Sequence, residues 1–118
     1  MNHGLPAPAV VAIHGVFSHF PALESAVLYG SRAKGNYKPG SDIDLTLHGK
    51  DLTTATLADI ADKLEDLLLP YTFDLSIFAT LDHPELRDHI ERVGVVFYER
   101  KPDAGSAAVL GNIKGLLR

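Results

Sequence analysis

The residues of this chain with the clearest capacity for chemistry are two aspartates, Asp42 and Asp44, and a Gly-Ser pair, Gly30-Ser31, that precedes them. Because side chains alternate along a strand, two acids spaced by one residue project from the same face. Their carboxylates repel each other unless a cation lies between them, and such oxygen ligands suit Mg²⁺ together with substrate phosphates. A Gly-Ser turn offers backbone N–H groups and a hydroxyl to those phosphates. The pattern predicts metal-assisted chemistry on a nucleoside triphosphate.

A third acid, Asp74, lies on the polar face of a later predicted strand. If that strand is the neighbour of the one that carries Asp42 and Asp44, three acids surround one or two divalent ions. Two such ions can hold the attacking and leaving oxygens of an in-line displacement at phosphorus. Asp74 could also accept the proton of the attacking hydroxyl. Taken singly, each acid is more simply a solvated strand or turn residue, and only their combination with Gly30-Ser31 favours a catalytic site.

These residues must be positioned by a small sheet and the helices around it. Apolar spacing and the placement of proline and glycine predict the order helix, strand, strand, helix, strand, helix, strand. The predicted helices cover about 9–20, 54–69 and 84–93, and the predicted strands cover 25–29, 42–48, 71–78 and 95–98. This order predicts an α/β or α+β fold with a small mixed sheet of about four strands flanked by helices. Tyr29 is predicted to be a core residue, and His48 a residue of the polar strand face.

Length and composition limit the classes of protein that the chain can belong to. Its 118 residues suffice for one domain, which we place at residues 1–100, followed by a linker and short apolar tail at 101–118. The chain lacks cysteine, which excludes disulfides and thiolate metal sites. No apolar stretch has the roughly 18 residues that would span a membrane. We expect a cytoplasmic protein without membrane contact.

The charge of the chain argues against a nucleic-acid backbone as its partner. The formal net charge is −4, with 11 basic and 15 acidic residues, whereas a protein that grips nucleic acid usually has a basic face. The only local cluster of positive charge, Arg32, Lys34 and Lys38, lies just after Gly30-Ser31. We therefore expect no direct binding of nucleic acid. The basic cluster suits a triphosphate better than a polymer.

Gly30-Ser31, ten intervening residues and Asp42-Ile43-Asp44 resemble the signature of polymerase-β-like nucleotidyltransferases. With Arg32 after the serine and Ser41 before the first aspartate, the form is similar to the minimal nucleotidyltransferase (MNT) branch. The resemblance covers about residues 26–98. It implies a central mixed sheet with helices on one side.

The same resemblance implies a role for each site residue. Gly30 and Ser31 would hold the β- and γ-phosphates of ATP, while Asp42 and Asp44 would bind two Mg²⁺ ions. Asp74 would bind the catalytic ion and help to activate the nucleophile. Arg32 and Lys34 are nucleotide-binding candidates that would contact phosphates, although Arg32 could instead pair with a nearby acid.

The resemblance also implies a partner. Small MNT proteins are typically encoded beside a HEPN protein, and many such pairs look like toxin–antitoxin systems. The chain would then be a protein adenylyltransferase and an antitoxin, which transfers AMP from ATP to a tyrosine of a HEPN RNase toxin. A hetero-oligomer or a homodimer is expected. Two alternatives stay open: transfer to a small-molecule hydroxyl, as in aminoglycoside-type relatives, and a catalytically weak module that neutralises its partner by binding. The complete set of three acids argues against the second alternative.

Overall fold

A computed structural model describes residues 4–35 and 42–100 of the chain. Its helices are α1 (Ala7–Ser18), α2 (Ser31–Lys34), α3 (Thr54–Glu65) and α4 (Pro84–Val93), with a 3₁₀ turn at Phe78–Thr80. Its strands are β1 (Ser25–Tyr29), β2 (Ile43–His48), β3 (Phe73–Ile77) and β4 (Val95–Glu99). Every predicted helix and strand within these ranges is present, and the structure adds the short helix α2 and the 3₁₀ turn. The predicted linker and tail, 101–118, lie outside the described residues.

The four strands form one mixed sheet in the order β3-β2-β1-β4. β1 is antiparallel to both of its neighbours, whereas β2 and β3 are parallel. Parallel strands need a crossover connection, and α3 supplies it between β2 and β3. The predicted fold class, a four-stranded mixed sheet with flanking helices, is confirmed.

One face of the sheet forms the main hydrophobic core against α1 and α3. The alternation of β2 explains this directly, because Ile43, Leu45 and Leu47 point to that face and are all 0% exposed. Burial of this apolar face stabilises the sheet at roughly 25 cal/mol per Å². The buried cluster consists of Leu5, Ile13, Phe17, Leu23, Ala26, Leu28, Ile43, Leu45, Leu47, Ile60 and Leu64.

Among residues 4–35 and 42–100, the elements that cover the opposite face of the sheet lie at one end of it. There, the His48 ring stacks on Phe78 with centroids 4.8 Å apart, and the Arg87 guanidinium of α4 lies 4.3 Å from the Phe78 centroid. Helices therefore lie on both faces, and the expectation of helices on one side is wrong. The physical reason is that this end of the polar face carries the rings of His48 and Phe78, and packing against α4 removes their apolar surface from water. The other end carries exposed acids, which stay in contact with solvent.

Several element boundaries differ from the sequence prediction by one to four residues, and the largest difference is the end of α3 at Glu65 instead of residue 69. Helix α1 begins at Ala7, two residues earlier than predicted, because Pro8 fits the first turn, where no N–H donor is required. Strand β3 covers five residues, Phe73–Ile77, because pairing with β2 begins only at Ile43 and Phe73. No helix within 4–35 or 42–100 is long and apolar enough to cross a membrane.

A glycine at the end of β2 provides a test of this packing. A Cβ added to Gly49 would collide with the backbone carbonyl oxygen of Ala22, and it would lie 3.1 Å from Leu52 Cγ. Because a backbone atom cannot move aside cheaply, we expect Gly49→Ala to lower the free energy of unfolding by about 1–3 kcal/mol. Denaturant unfolding of the purified chain measures the change.

The matched control is Gly15→Ala in α1, where an added Cβ meets nothing within 4 Å. Alanine is preferred to glycine inside a helix, so this variant should gain roughly 0.5–1 kcal/mol. Equal unfolding midpoints for the two variants would contradict the close approach of Gly49 to Ala22.

Candidate active site

The three predicted acids lie at one end of the polar sheet face, opposite the end that α4 covers. Asp44 of β2 and Asp74 of β3 are direct partners in the parallel register, so their backbones lie on strands about 4.8 Å apart. Asp42 precedes β2 by one residue and shares the face of Asp44 because side chains alternate. Asp42 and Asp74 are exposed, and Asp44 is partly buried. The fold thus brings together acids that are 30 residues apart in the sequence.

The carboxyl of Asp44 titrates abnormally because of this arrangement. Burial raises the pKa of Asp44, and the negative charges of Asp74 and Asp42 raise it further. A hydrogen bond between the Asp44 and Asp74 carboxyl groups acts in the same direction. A divalent cation bound between the carboxylates would relieve the same repulsion.

The donor set fits Mg²⁺, although the side chains are not arranged around an ion. Within the described ranges, no three His, Cys, Asp or Glu side chains are grouped closely enough to hold a metal as they stand. Carboxylates without a cation between them repel each other, which keeps the three side chains apart. Carboxylate oxygens on one sheet face are nevertheless the ligands that Mg²⁺ takes together with substrate phosphates.

Gly30 packs directly against one of these acids. It follows β1 and precedes α2 with a φ of +79°, a conformation that glycine adopts at little cost. A Cβ at this position would collide with Oδ2 of Asp44. The tight contact places the first turn of α2 beside the acids. Among the described residues, no side chain caps this turn, so its N–H groups are available to an anion.

The two predicted basic residues of the site differ in position. Arg32 is only 2% exposed, and its guanidinium carbon lies 5.2 Å from the centroid of the Tyr71 ring. This contact ties α2 to the segment before β3, which suits a residue that positions the turn. Lys34 is exposed, while Ser31 is partly exposed at the start of α2. An exposed ammonium group at Lys34 is free to approach a phosphate.

Sequence reasoning missed the residues that surround the acid pair. Tyr29, predicted as core, pairs with Asp44 in the antiparallel register and lies on the acid face. Burial raises the pKa of Tyr29, and the negative charge of Asp74 raises it further. On the same face, Ser76 donates a hydrogen bond to Thr46 across 2.9 Å. The alternation of β3 did place Ser76 on the face of Asp74, but Tyr29 could be found only from the register between strands. His48 lies at the far, covered end, where burial lowers its pKa and Glu24 partly offsets that effect.

The raised pKa of Asp44 predicts that this site destabilises the metal-free protein. A folded-state pKa above the ordinary value of 3.8 means that the folded chain binds the proton more tightly than the unfolded chain. The stability of the wild type therefore falls as the pH rises from about that value through the raised pKa. We expect Asp44→Asn to unfold with a free energy about 1 kcal/mol higher near neutral pH, a modest gain because solvent screens this partly exposed group.

Thermal unfolding in the presence of a chelator, measured between acidic and neutral pH, checks this result. The difference in the free energy of unfolding between Asp44→Asn and the wild type should grow as the pH rises and then stay constant. Asp51→Asn, an exposed acid away from the site, should show no such trend. A variant less stable than the wild type at neutral pH would show that Asp44 makes favourable contacts that outweigh its repulsion.

Comparison with known proteins agrees with this geometry. A family model described as polymerase beta, nucleotidyltransferase, matches residues 12–103. A toxin–antitoxin structure with AMP-PNP aligns with a TM-score of 0.62 at 22% identity, covering 90% of this chain and 83% of the other. The structure of the tri-AMPylated Shewanella oneidensis HEPN toxin in complex with MNT antitoxin aligns with a TM-score of 0.58 at 21% identity, covering 87% of this chain and 80% of the other. The MntA–HepT toxin–antitoxin structure aligns with a TM-score of 0.59 at 20% identity, covering 89% of this chain and 82% of the other. At these identities the structures show a shared fold, and no curated protein matches the chain significantly.

Proposed function

Because the chain belongs to the polymerase β nucleotidyltransferase family, we propose that it transfers AMP from ATP to a tyrosine hydroxyl of a partner HEPN RNase toxin and so acts as its antitoxin. Family membership confirms the nucleotidyltransferase resemblance of Gly30-Ser31 and Asp42-Ile43-Asp44. The choice of ATP, Mg²⁺, protein acceptor and toxin partner is our proposal. Asp42, Asp44 and Asp74 serve as metal ligands in it, and Gly30, Ser31 and Lys34 as phosphate-binding residues.

The observation that carries the proposal is the in-register pair Asp44 and Asp74 beside the Gly30 turn. Nucleotidyl transfer needs acids at the reacting phosphate and N–H donors for the departing phosphates, and both groups lie at one end of the sheet. Arg32 contacts the Tyr71 ring, which would position the turn, and it stays a candidate for contact with the phosphates. The sheet supplies the rigidity that positions these groups before the substrate arrives.

In the proposed AMP transfer, each of these groups has a separate role. The N–H groups of the α2 turn and the Ser31 hydroxyl hold the β- and γ-phosphates, and Lys34 adds a positive charge. Mg²⁺ held by the acids would neutralise charge on the phosphates and orient the reacting oxygens. Asp74, exposed at the edge strand, accepts the proton of the acceptor hydroxyl. The hydroxyl oxygen then bonds to the α-phosphorus, the bond from that phosphorus to the bridging oxygen breaks, and pyrophosphate leaves.

The similar structures support the partner and the acceptor in this proposal. One of them contains a tri-AMPylated HEPN toxin together with an MNT antitoxin, and another contains a toxin–antitoxin with AMP-PNP. An alignment over about nine-tenths of this chain extends well beyond the Gly-Ser and Asp-x-Asp segments. The same end of the sheet is therefore the place where we expect a partner's tyrosine to enter.

The test uses the purified chain, ATP, Mg²⁺ and the HEPN protein encoded beside it. We expect the intact mass of the HEPN protein to rise by one or more AMP units. Label on the α-phosphate of ATP should be retained in the product, and label on the γ-phosphate should not, which separates AMP transfer from phosphorylation. Peptide mapping should place the modification on tyrosine.

Other outcomes reject parts of the proposal. A stable complex without any mass change would favour a module that neutralises its partner by binding. Transfer of label to an aminoglycoside, with no label on the HEPN protein, would show that the acceptor is a small molecule.

A further inference from the structure

A groove lies where the end of helix α1 meets helix α3, in the helix layer that covers the core face of the sheet. Its volume is about 430 Å³, and its lining consists of Val16, His19, Phe20 and Lys63. Val16 and Phe20 pack against the hydrophobic core and also border this α1–α3 groove. The groove is therefore an apolar surface on the side of the sheet away from the acids of the candidate active site.

The surface next to the α1–α3 groove is acidic. A neighbouring space of about 500 Å³ shares Phe20 and Lys63 with the groove, and its other four lining residues are acids of α3 and its C-cap. Two of these acids, Glu65 and Asp66, are exposed. Because complementary charges favour association, a segment that suits this surface combines apolar side chains with positive charge.

The chain leaves the described fold beside this groove. The guanidinium of Arg100 donates hydrogen bonds to the carbonyl oxygens of Ser18, across 3.2 Å, and Phe20, across 2.9 Å. Its backbone N–H donates to the carbonyl oxygen of Glu24 across 2.8 Å. These contacts hold the end of β4 against the end of α1. The chain therefore continues from a point next to Phe20, which lines the groove.

The sequence beyond Arg100 has the composition that this surface requires. Residues 101–108 are mostly small or polar, and residues 109–118 carry Lys114 and Arg118 but no acid. The eight residues 101–108 can span up to roughly 27 Å, which is enough to bring the next residues to the groove. Half of the residues at 109–118 are large and apolar: Val109, Leu110, Ile113, Leu116 and Leu117.

We propose that residues 109–118 dock in the α1–α3 groove of their own chain, with apolar side chains against Val16 and Phe20 and basic side chains toward the acids of α3. A tether of eight residues gives this segment an effective concentration at the groove on the order of millimolar. A second copy of the chain at micromolar concentration competes poorly with it. The inference concerns the helix layer and does not depend on AMP transfer.

The test is disulfide trapping in the full chain, which has no cysteine of its own. Lys63→Cys/Leu110→Cys places one thiol at the groove and one in the segment, and mild oxidation joins them when their Cα atoms come within about 6 Å. We expect the monomeric disulfide to form at least about tenfold faster than in Lys50→Cys/Leu110→Cys, because docking raises the local concentration of the second thiol. Mass spectrometry after alkylation measures closure, and the alkylation rate of each thiol corrects for its own reactivity.

Lys50 is the matched control position. It is an exposed lysine, and its backbone N–H donates a hydrogen bond to the carboxylate of Glu24 across 3.3 Å. Glu24 is also the residue whose carbonyl oxygen accepts from the N–H of Arg100. A thiol at position 50 is therefore close to the point where the chain leaves the fold but does not line the groove. Faster closure at position 63 reports docking rather than the length of the tether.

Changes within the segment test its apolar side chains. In the Lys63→Cys/Leu110→Cys chain, Ile113→Asp/Leu117→Asp should lower the closure rate to that of the Lys50 control. Ile113→Val/Leu117→Met should keep the faster rate, because it retains apolar side chains of similar volume. None of these changes replaces a residue of the buried core cluster, so circular dichroism should show an intact fold.

Equal closure rates at positions 63 and 50 would overturn the inference, and so would fast closure that persists with the two aspartates. Closure between chains would overturn it as well. If a mixture of the single variants Lys63→Cys and Leu110→Cys gives linked dimers as fast as the double variant closes, a second copy occupies the groove.

Discussion

Replacing Asp42 and Asp44 together by asparagine should reduce AMP transfer at least about 1,000-fold. Such a loss corresponds to about 4 kcal/mol of transition-state stabilisation, which is within the range that metal-held phosphoryl groups provide. Asparagine keeps the size of both side chains but removes the negative charges that attract a divalent cation. The intact mass of the HEPN protein, followed over time with ATP and Mg²⁺, measures the effect.

The control for this double variant is Asp59→Asn/Asp62→Asn on the exposed surface of α3. It removes the same number of charges and should transfer AMP at the wild-type rate. Binding of the HEPN protein should survive in the Asp42/Asp44 variant, because the sheet and its core are untouched. If transfer persists in that variant, Asp42 and Asp44 are not the metal ligands and the proposed chemistry is wrong.

Replacing Gly30 by alanine should displace the Asp44 carboxylate relative to the α2 turn while leaving the fold in place. The added methyl group would occupy the position of Asp44 Oδ2, so either the carboxylate or the α2 turn must move. A displacement of about 1 Å at reacting groups can reduce the rate roughly 100-fold. The backbone of Gly30, with φ +79° and ψ −154°, lies in a region essentially restricted to glycine, which adds a loss of roughly 1–3 kcal/mol in the free energy of unfolding. Steady-state transfer and denaturant unfolding measure the two effects separately.

Gly35→Ala provides a matched control, since Gly35 has a φ of +85° and an added Cβ there meets nothing within 4 Å. Gly35 is in the left-handed αL region, which alanine tolerates better than the conformation of Gly30, so we expect a smaller loss of stability, about 1 kcal/mol, and nearly full activity at saturating ATP. The difference in rate between the two variants then reports the contact with Asp44 together with the glycine-specific backbone of Gly30. Equal rates in Gly30→Ala and Gly35→Ala would mean that the close approach to Asp44 has no part in catalysis.

The main elements and the local chemistry were predictable because they depend on neighbours in the sequence. Alternation alone assigned Ile43, Leu45 and Leu47 to the core, and all three are fully buried. The same alternation places Thr46 on the opposite face, where it is also fully buried because α4 and the 3₁₀ turn cover that end of the polar face. No pattern within β2 carries information about which distant element will cover it.

Arg32 shows a similar limit within the site. A basic residue just after a Gly-Ser turn predicts a phosphate contact, which stays a prediction, and the sequence did not reveal that the guanidinium also lies against the Tyr71 ring, 39 residues further along the chain. The helical turn of α2 directs this side chain inward and leaves Lys34 exposed. Such a choice depends on which ring occupies the neighbouring space, and the sequence around Arg32 does not contain that information.

By itself, the sequence determined the chemical groups of the site: a Gly-Ser turn, two acids on one strand face and a third acid on another strand. Side-chain period and turn preference act over a few residues, so short segments suffice to specify them. Only the tertiary structure decided that Asp74 is the register partner of Asp44 and that Tyr29 completes their row. A shift of one residue in either pairing would turn the opposite side chains toward the site. Register is set by packing between strands that are far apart in the chain, because each strand must bury its apolar face in the common core.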